Sequence, residues 1–114
     1  MCKRFSLKCQ DAERFLKSYD CDFKLDHDLE TNPNDKALAL YMSDNHLKVN
    51  LFNFGIVAKE HLLLNARIET LDTKPIFATS FETRRCILLA SVFYEADKRK
   101  VDQGFVAKDD ILFL

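Results

Sequence analysis

Apolar residues in this chain occur in short runs separated by polar residues, and this patterning limits the possible folds more than any other feature. Leu47, Val49 and Leu51 alternate with polar residues, which is the period of a half-buried β-strand. Residues 37–42 form a compact apolar run of strand length. Further short apolar runs lie at residues 62–64, 87–89, 92–94 and 111–114. The chain is therefore expected to be rich in strands.

Helical spacing occurs in one place, where an amphipathic helix of two to three turns is predicted. Its apolar positions are Ala12, Phe15, Leu16 and Tyr19. Residues 4–7 before it are predicted to form a strand, and the polar, acidic residues 21–34 after it a loop. Phe52 and Phe54 shift the phase of the later alternation, which predicts a bulge or bend before Gly55.

These patterns predict an α+β domain with a curved, partly barrel-like antiparallel sheet and one or two short helices. Residues 1–114 are expected to form a single domain. Glycine and proline number 2 each, which excludes a disordered or linker-rich chain. No apolar run approaches the roughly 18 residues of a membrane span, and the first residues do not resemble a signal peptide. A soluble, cytoplasmic protein is expected.

The charge and the cysteine content limit the kinds of binding partner and metal site that the chain is expected to have. Lys and Arg total 17 against 18 Asp and Glu, so nucleic acid would have to bind a local cationic face. Scattered surface charges are the alternative for the arginines that would supply that face, Arg4, Arg67, Arg84 and Arg85. The cysteines are Cys2, Cys9, Cys21 and Cys86. They form no C-x-x-C pair, and no histidine lies at ligand-like spacing from them, so neither a metal nor a cofactor is expected.

Three segments carry family motifs. The chain begins Met1-Cys2-Lys3-Arg4-Phe5. Residues 65–70 read Asn-Ala-Arg-Ile-Glu-Thr, with Lys-Pro-Ile-Phe at 74–77, and residues 84–88 read Arg-Arg-Cys-Ile-Leu before Phe-Tyr-Glu at 93–95. In this order they resemble the M-C-G-R-F, N-A-R-x-E-T with K-P-x-F, and R-R-C-L-I-P-x-x-G-F-Y-E-W motifs of the SRAP family, the SOS response-associated peptidases or abasic-site processing proteins. Residues 52–56 and 32–35 weakly resemble the family's M-R-W-G-L and N-x-x-P-T segments.

The chain also departs from the family pattern. Lys3 replaces a glycine, Phe54 replaces a tryptophan that helps to handle DNA bases, and Ala96 replaces a second tryptophan. The resemblance covers essentially this whole chain but only the first half of a typical member. The family's C-terminal half, with a catalytic histidine in a G-H-x-R-M-P-like segment, has no counterpart here, so we expect this half of the fold to be missing.

The resemblance implies a covalent reaction with abasic sites in single-stranded DNA. Removal of Met1, by an aminopeptidase or by self-cleavage, would expose the amine and thiol of Cys2, which together close a thiazolidine ring on an aldehyde. Glu95 is the candidate acid/base. Asn65 is a candidate to orient the amine or the sugar oxygen. The alternative is a degenerate relative that keeps the fold and some DNA binding but has no catalytic activity.

DNA contacts are expected from four further residues. Arg4 and Arg67 are candidates for phosphate contacts, Arg85 either supports the fold or contacts a phosphate, and Phe54 takes the place of the base-handling tryptophan. Arg67 would share a strand face with Asn65 if that segment is extended. The apolar run at 111–114 would need a partner to cover it, so a homodimer is predicted.

Overall fold

A computed structural model of the chain describes residues 3–107 and 112–113. Within them the helices are α1 (Cys9–Ser18) and α2 (Pro75–Thr83), and a short 3-10 helix covers Ile68–Thr70. The strands are β1 (Arg4–Leu7), β2 (Leu29–Thr31), β3 (Lys36–Ser43), β4 (His46–Asn53), β5 (Ile56–Ala58), β6 (His61–Leu63), β7 (Ile87–Ala90), β8 (Val92–Ala96), β9 (Asp102–Phe105) and β10 (Leu112–Phe113). All the strand pairs are antiparallel. The predicted α+β class is confirmed.

The described strands form two four-stranded sheets and a separate hairpin. One sheet has the order β2-β1-β8-β9, the other has the order β10-β7-β3-β4, and β5 pairs with β6. Only Ser91 separates β7 from β8, so the chain passes from one sheet to the other at this residue. The Ser91 N–H donates to the Ser6 carbonyl at 2.7 Å and joins the sheets there. Neither sheet closes on itself, so a barrel is not found among the described residues.

Strand β1 supplies large side chains to both parts of the core because every second residue faces inward. Leu7 packs in one cluster with Leu16 of α1 and Leu89 of β7. Phe5 packs in a second cluster against Ala37 and Ala90, whose methyl groups leave room for its ring. Phe5 and Leu7 are each 1% exposed, and full burial of such side chains stabilises the fold by about 1.5–3 kcal/mol each.

Helix α1 begins beside Ser91, where the two sheets meet. The amides at its start donate hydrogen bonds to side chains from outside the helix. The Lys8 N–H donates to the Ser91 hydroxyl at 2.9 Å, and that hydroxyl donates to the Asp11 carboxylate at 2.6 Å. The Cys9 N–H donates to the Asp28 carboxylate at 2.8 Å. Amides at the start of a helix have no partner within it, so these bonds fix the start of α1 relative to both sheets.

Several local predictions need correction. The segment 21–34, predicted to be a loop, contains strand β2, which pairs with β1. The chain bends at residues 54–55, as predicted, but β4 pairs with β3 in regular register up to Asn53, without a bulge. Gly55 has φ +112°, and a Cβ there would lie 2.9 Å from a methyl carbon of Leu62, so glycine is required. Helix α2 lies in a stretch that was expected to be mostly β.

The C-terminal apolar run has a pairing partner inside the chain. Leu112 lies opposite Ala90 and Phe113 opposite Leu89, which adds β10 to the edge of β7. Ile111 and Leu114 lie outside the described residues. Because Leu112 and Phe113 pair within their own sheet, their backbone does not require the edge of a second copy. The homodimer stays a prediction. Neither described helix is long and apolar enough to cross a membrane.

Candidate functional site

The first predicted site residue, Arg4, lies in β1, in register with residues of the neighbouring strands β8 and β9. Arg4 is opposite Tyr94, and Tyr94 is opposite Gly104. The Arg4 guanidinium carbon lies 4.0 Å from the centroid of the Tyr94 ring, within the range of a cation–π contact. One of its nitrogens lies 3.0 Å from the Asp102 carboxylate. Arg4 is therefore held by a ring on β8 and a carboxylate on β9.

Gly104 makes this arrangement possible. A Cβ at this position would lie 3.2 Å from a methyl carbon of Val92 and 3.3 Å from a ring carbon of Tyr94. The Tyr94 ring thus lies against the backbone of β9, and a larger residue at 104 would push it away. The glycine leaves space for the ring on which Arg4 rests.

Glu95, the candidate acid/base, lies beside Tyr94 at the edge of a cavity of about 580 Å³. Glu95 is half-buried and lies opposite Gln103 in the β8-β9 pair. The residues that line the cavity come from β1, β8, β9 and the loop after β2: Lys3, Arg4, Asn32, Pro33, Tyr94, Glu95, Ala96 and Asp102. Two of the predicted site residues, Arg4 and Glu95, therefore line one cavity.

The Asn32–Pro33 wall of this cavity is fixed by the segment that contains Phe54. The Asn34 N–H donates to the Phe54 carbonyl at 2.8 Å, and the Phe54 N–H donates to the Asp35 carbonyl at 2.8 Å. The Asp35 carboxylate accepts from the backbone and side-chain amides of Asn32, each at 3.0 Å. The two weakest of the motif resemblances, at 32–35 and 52–56, are thus joined in space.

Phe54 itself packs inward. Its ring meets the ring of Phe5 edge-on at 5.2 Å between centroids, and the residue is half-buried against the second core cluster. It does not line the Glu95 cavity. Its observed contacts position the 32–35 loop and the Phe5 ring, and its DNA contact stays a prediction.

Asn65 and Arg67 lie elsewhere, in the loop between β6 and the 3-10 helix. Both are exposed, and neither lines the cavity beside Glu95. The segment 64–67 is not a strand, so the condition under which these residues would share a strand face is not met. The Arg67 carbonyl accepts the Thr70 N–H at 3.1 Å and begins the 3-10 helix.

Arg85 lies at a third place, after the end of α2. It is exposed, and its guanidinium carbon lies 5.7 Å from the centroid of the Phe81 ring. Together with Tyr41, Met42 and Cys86 it lines a groove that the sequence motifs did not indicate. The predicted phosphate contacts at Arg4, Arg67 and Arg85 therefore do not form a single cluster.

The thiols differ in their surroundings. Cys2 lies outside the described residues. A hydrogen bond and the negative charge of Asp28 raise the pKa of the Cys9 thiol. Partial burial raises the pKa of the Cys86 thiol, although the residue as a whole is exposed. Because the thiolate is the nucleophile, neither of these two thiols is activated.

Sequence reasoning missed Tyr94 and Asp102 as partners of Arg4. Tyr94 stood in the Phe-Tyr-Glu motif, which was a usable signal. Asp102 is 98 residues from Arg4 in sequence, and only the β8-β9 hairpin brings it near. No group of three or more potential metal ligands occurs in the described part of the chain.

Comparison with known proteins gives these positions a family context. A family model described as SOS response associated peptidase (SRAP) matches residues 1–112. The abasic site processing protein YoaM of Bacillus subtilis (strain 168) is 28% identical over 92 residues, which cover 71% of this chain and 40% of YoaM. The chain thus matches about two fifths of the length of that relative. No solved structure gives a significant match. Because the family model covers nearly all of the sequence, the chain belongs to the SRAP family.

Proposed function

We propose that this chain recognises abasic sites in single-stranded DNA and binds them covalently through Cys2. One observation carries the proposal: Arg4 and Glu95 line the same cavity, at the end of the sheet where β1 begins. Arg4 is two positions after Cys2 in the sequence, and a chain of that length spans at most about 7 Å. Membership of the SRAP family and the similarity to an abasic site processing protein support the proposal.

The proposed chemistry needs a free α-amine on Cys2, so Met1 must first be removed by hydrolysis of the peptide bond. The neutral amine attacks the aldehyde of the ring-opened abasic sugar and forms a carbinolamine. Loss of one water gives an imine. The Cys2 thiolate then adds to the imine carbon, and the nitrogen takes up a proton. The product is a five-membered thiazolidine, and the net change is the loss of one water.

Glu95 is proposed to move the protons in these steps. Opening of the sugar ring and dehydration of the carbinolamine both need a group that can give and accept a proton. Glu95 is half-buried at the cavity and follows the apolar residues Val92 and Phe93 in β8. Arg4 is proposed to contact the phosphate next to the lesion from the same cavity.

The remaining predicted residues are given roles at a distance from the reaction. Asn65 and Arg67 are exposed in the 64–67 loop, so we propose that Arg67 contacts a phosphate farther along the strand. Asn65 reaches the amine or the sugar oxygen only if this loop moves towards the cavity when DNA binds. Its role in the reaction thus depends on that movement.

A second candidate function is DNA binding without covalent chemistry. The observation that favours it is the pairing of Arg4 with Asp102 at 3.0 Å. A guanidinium that already has a carboxylate partner is less available to a phosphate, which weakens the positioning of DNA beside Cys2. Detection of a covalent adduct separates the two candidates.

The test is adduct formation with a single-stranded oligonucleotide that contains one abasic site, followed on a denaturing gel. The wild-type protein is expected to give a heat-stable adduct and Cys2→Ala to give none. Glu95→Gln is expected to form the adduct about a hundredfold more slowly, because a positioned acid/base contributes on that order.

The controls are the other thiols. Cys9→Ala and Cys21→Ala are expected to form the adduct at the wild-type rate, and the raised pKa of Cys9 supports this expectation. An adduct that persists in Cys2→Ala would identify another nucleophile, such as a lysine. The absence of an adduct in the wild-type protein, together with retained DNA binding, would establish the second candidate instead.

A further inference from the structure

We propose that the groove between the β3-β4 face and residues 83–86 is a stacking site for unpaired bases of single-stranded DNA. This inference rests on the proposed function, because it extends the DNA contacts beyond the Glu95 cavity. The groove has a volume of about 530 Å³, and the lining residues that carry the argument are Tyr41, Met42, Asn50, Phe52, Arg84 and Arg85.

The floor of the groove is an aromatic pair. The strand register places Ala37 opposite Phe52 and Ala39 opposite Asn50, so Tyr41 and Phe52 lie on one face with Ala39 between them. The methyl group of Ala39 leaves room for the two rings to approach to 5.5 Å between centroids, edge to face. Phe52 is 42% exposed. An exposed ring of this kind is a stacking platform for any base.

The charge of the groove fits a phosphate backbone. Arg84 and Arg85 are both exposed, and neither forms a salt bridge within the described part of the chain. The side-chain carbonyl of Asn50 accepts the Leu51 N–H at 2.8 Å, which leaves its NH₂ group to donate to a base or a phosphate. Aromatic faces beside exposed arginines are the combination used by single-strand binders.

The groove is connected to the Glu95 cavity through β4 and the residues that follow it. Phe52 lines the groove, and Phe54, two residues later, holds the loop whose Asn32 and Pro33 line the cavity. In this proposal the groove holds bases to one side of a lesion in the cavity. Stacking needs unpaired bases, so duplex DNA is excluded from the site.

The experiment measures reversible binding of a fluorescent, undamaged single-stranded oligonucleotide by anisotropy, which requires no reaction at Cys2. Phe52→Ala is expected to lower the affinity about tenfold, because loss of one stacking contact has that effect. Arg84→Gln is expected to weaken binding and to reduce the slope of log affinity against log salt by about one. A duplex of the same sequence is expected to bind more weakly than the single strand.

Matched controls come from outside the groove. Phe105 is 46% exposed on the other sheet, and Phe105→Ala is expected to leave the affinity unchanged. Lys59→Gln, an exposed cation in the β5-β6 turn, is expected to leave the salt slope unchanged. Wild-type affinity in both Phe52→Ala and Arg84→Gln would overturn the proposal, as would equal losses in Phe52→Ala and Phe105→Ala.

The result also distinguishes this site from the proposed reaction. If the wild-type protein forms the covalent adduct and Phe52→Ala binds undamaged DNA as tightly as the wild type, only the proposed stacking site is contradicted. If Phe52→Ala binds more weakly but the wild-type protein never forms an adduct, only the covalent function is contradicted.

Discussion

Two regions of the chain differ in how deeply their side chains are buried. All the fully buried residues among those described lie in residues 5–40 and 89–91, including Phe5, Leu7, Leu38 and Leu89. Residues 41–88 are described throughout, and none of them is fully buried. The first region, together with the rest of strands β1, β8 and β9 in its sheet, forms a frame, and residues 41–88 form the middle region. The frame borders the core, whereas the middle region rests on it through half-buried side chains. Regions with few buried apolar contacts open locally at lower free energy than the core.

This difference divides the predicted site residues. Arg4 lies in β1 and Glu95 in β8, which pair directly and border the core. Asn65, Arg67 and Arg85 lie in the middle region, on exposed loops and a helix end. We therefore assign the proposed chemistry to the frame, where the geometry is fixed, and DNA binding to both regions. A loop that needs to move towards bound DNA is better placed in the less packed region.

The largest expected effect is on stability. Phe5→Ala removes a ring that is 1% exposed from the frame and is expected to lower the free energy of unfolding by about 3–5 kcal/mol. Phe81→Ala removes a ring of α2 that is 40% exposed and is expected to lower it by about 1 kcal/mol or less. Urea unfolding of the two variants measures the difference. Similar losses in both would mean that the middle region is as firmly packed as the frame.

The next effect concerns DNA binding by the middle region. Arg67→Ala is expected to weaken single-stranded DNA binding several-fold and to reduce the salt slope by about one, since one phosphate contact is lost. Arg99→Ala is the matched control, because Arg99 is already paired with Asp97 at 3.3 Å. Titrations at several salt concentrations measure both quantities. An unchanged affinity and slope in Arg67→Ala would leave Arg67 with a structural role only.

A smaller effect, an increase in the affinity for single-stranded DNA, is expected from a change in the frame. Asp102→Asn removes the carboxylate that pairs with Arg4 at 3.0 Å, so the guanidinium becomes more available to a phosphate. An exposed ion pair contributes up to about 1 kcal/mol, so the affinity for single-stranded DNA is expected to rise by about fivefold at most. Asp22→Asn, an exposed carboxylate far from Arg4 in sequence, controls for the general change in charge. A fall in affinity would show that Asp102 positions Arg4 for DNA.

The smallest expected effect is a pH dependence of the stability of the fold, which arises in the turn between β8 and β9. The Asp97 carboxylate accepts hydrogen bonds from the backbone amides of Val101 and Arg99, and these bonds lower the pKa of Asp97. A lowered pKa adds stability above the unfolded value of about 3.9, and this stability is lost as the pH falls through the lower folded value. Asp97→Asn is therefore expected to lose less stability than the wild type on acidification below about pH 4. Identical acid unfolding curves would contradict this role.

The sequence predicted the frame better than the middle region, for physical reasons. Strand β1 and helix α1 have clear periods, because one face of each is buried: Phe5 and Leu7 alternate, and Ala12 and Leu16 recur at helical spacing. Helix α2 buries no residue fully, so its sequence shows no clean apolar stripe. Its one local signal was Pro75 at the first helical turn.

The candidate site was predictable only where a motif marked it. Arg4 and Glu95 were identified from family motifs, and the structure brings them to one cavity. The pairing of Arg4 with Asp102 depends on tertiary structure, and no sequence period links them. Asn65 and Arg67 were expected to share a strand face only if their segment were extended in a strand, and the segment lies beyond the end of β6, outside the β5-β6 pairing.

The most direct test of the proposed reaction at Cys2 is the intact mass of the protein, alone and after incubation with abasic single-stranded DNA. We expect Met1 to be absent. We also expect that incubation adds the mass of the oligonucleotide minus one water, and that Cys2→Ala shows no such addition. Retention of Met1 in all molecules, with no covalent addition, would contradict the claim that Cys2 reacts with abasic sites.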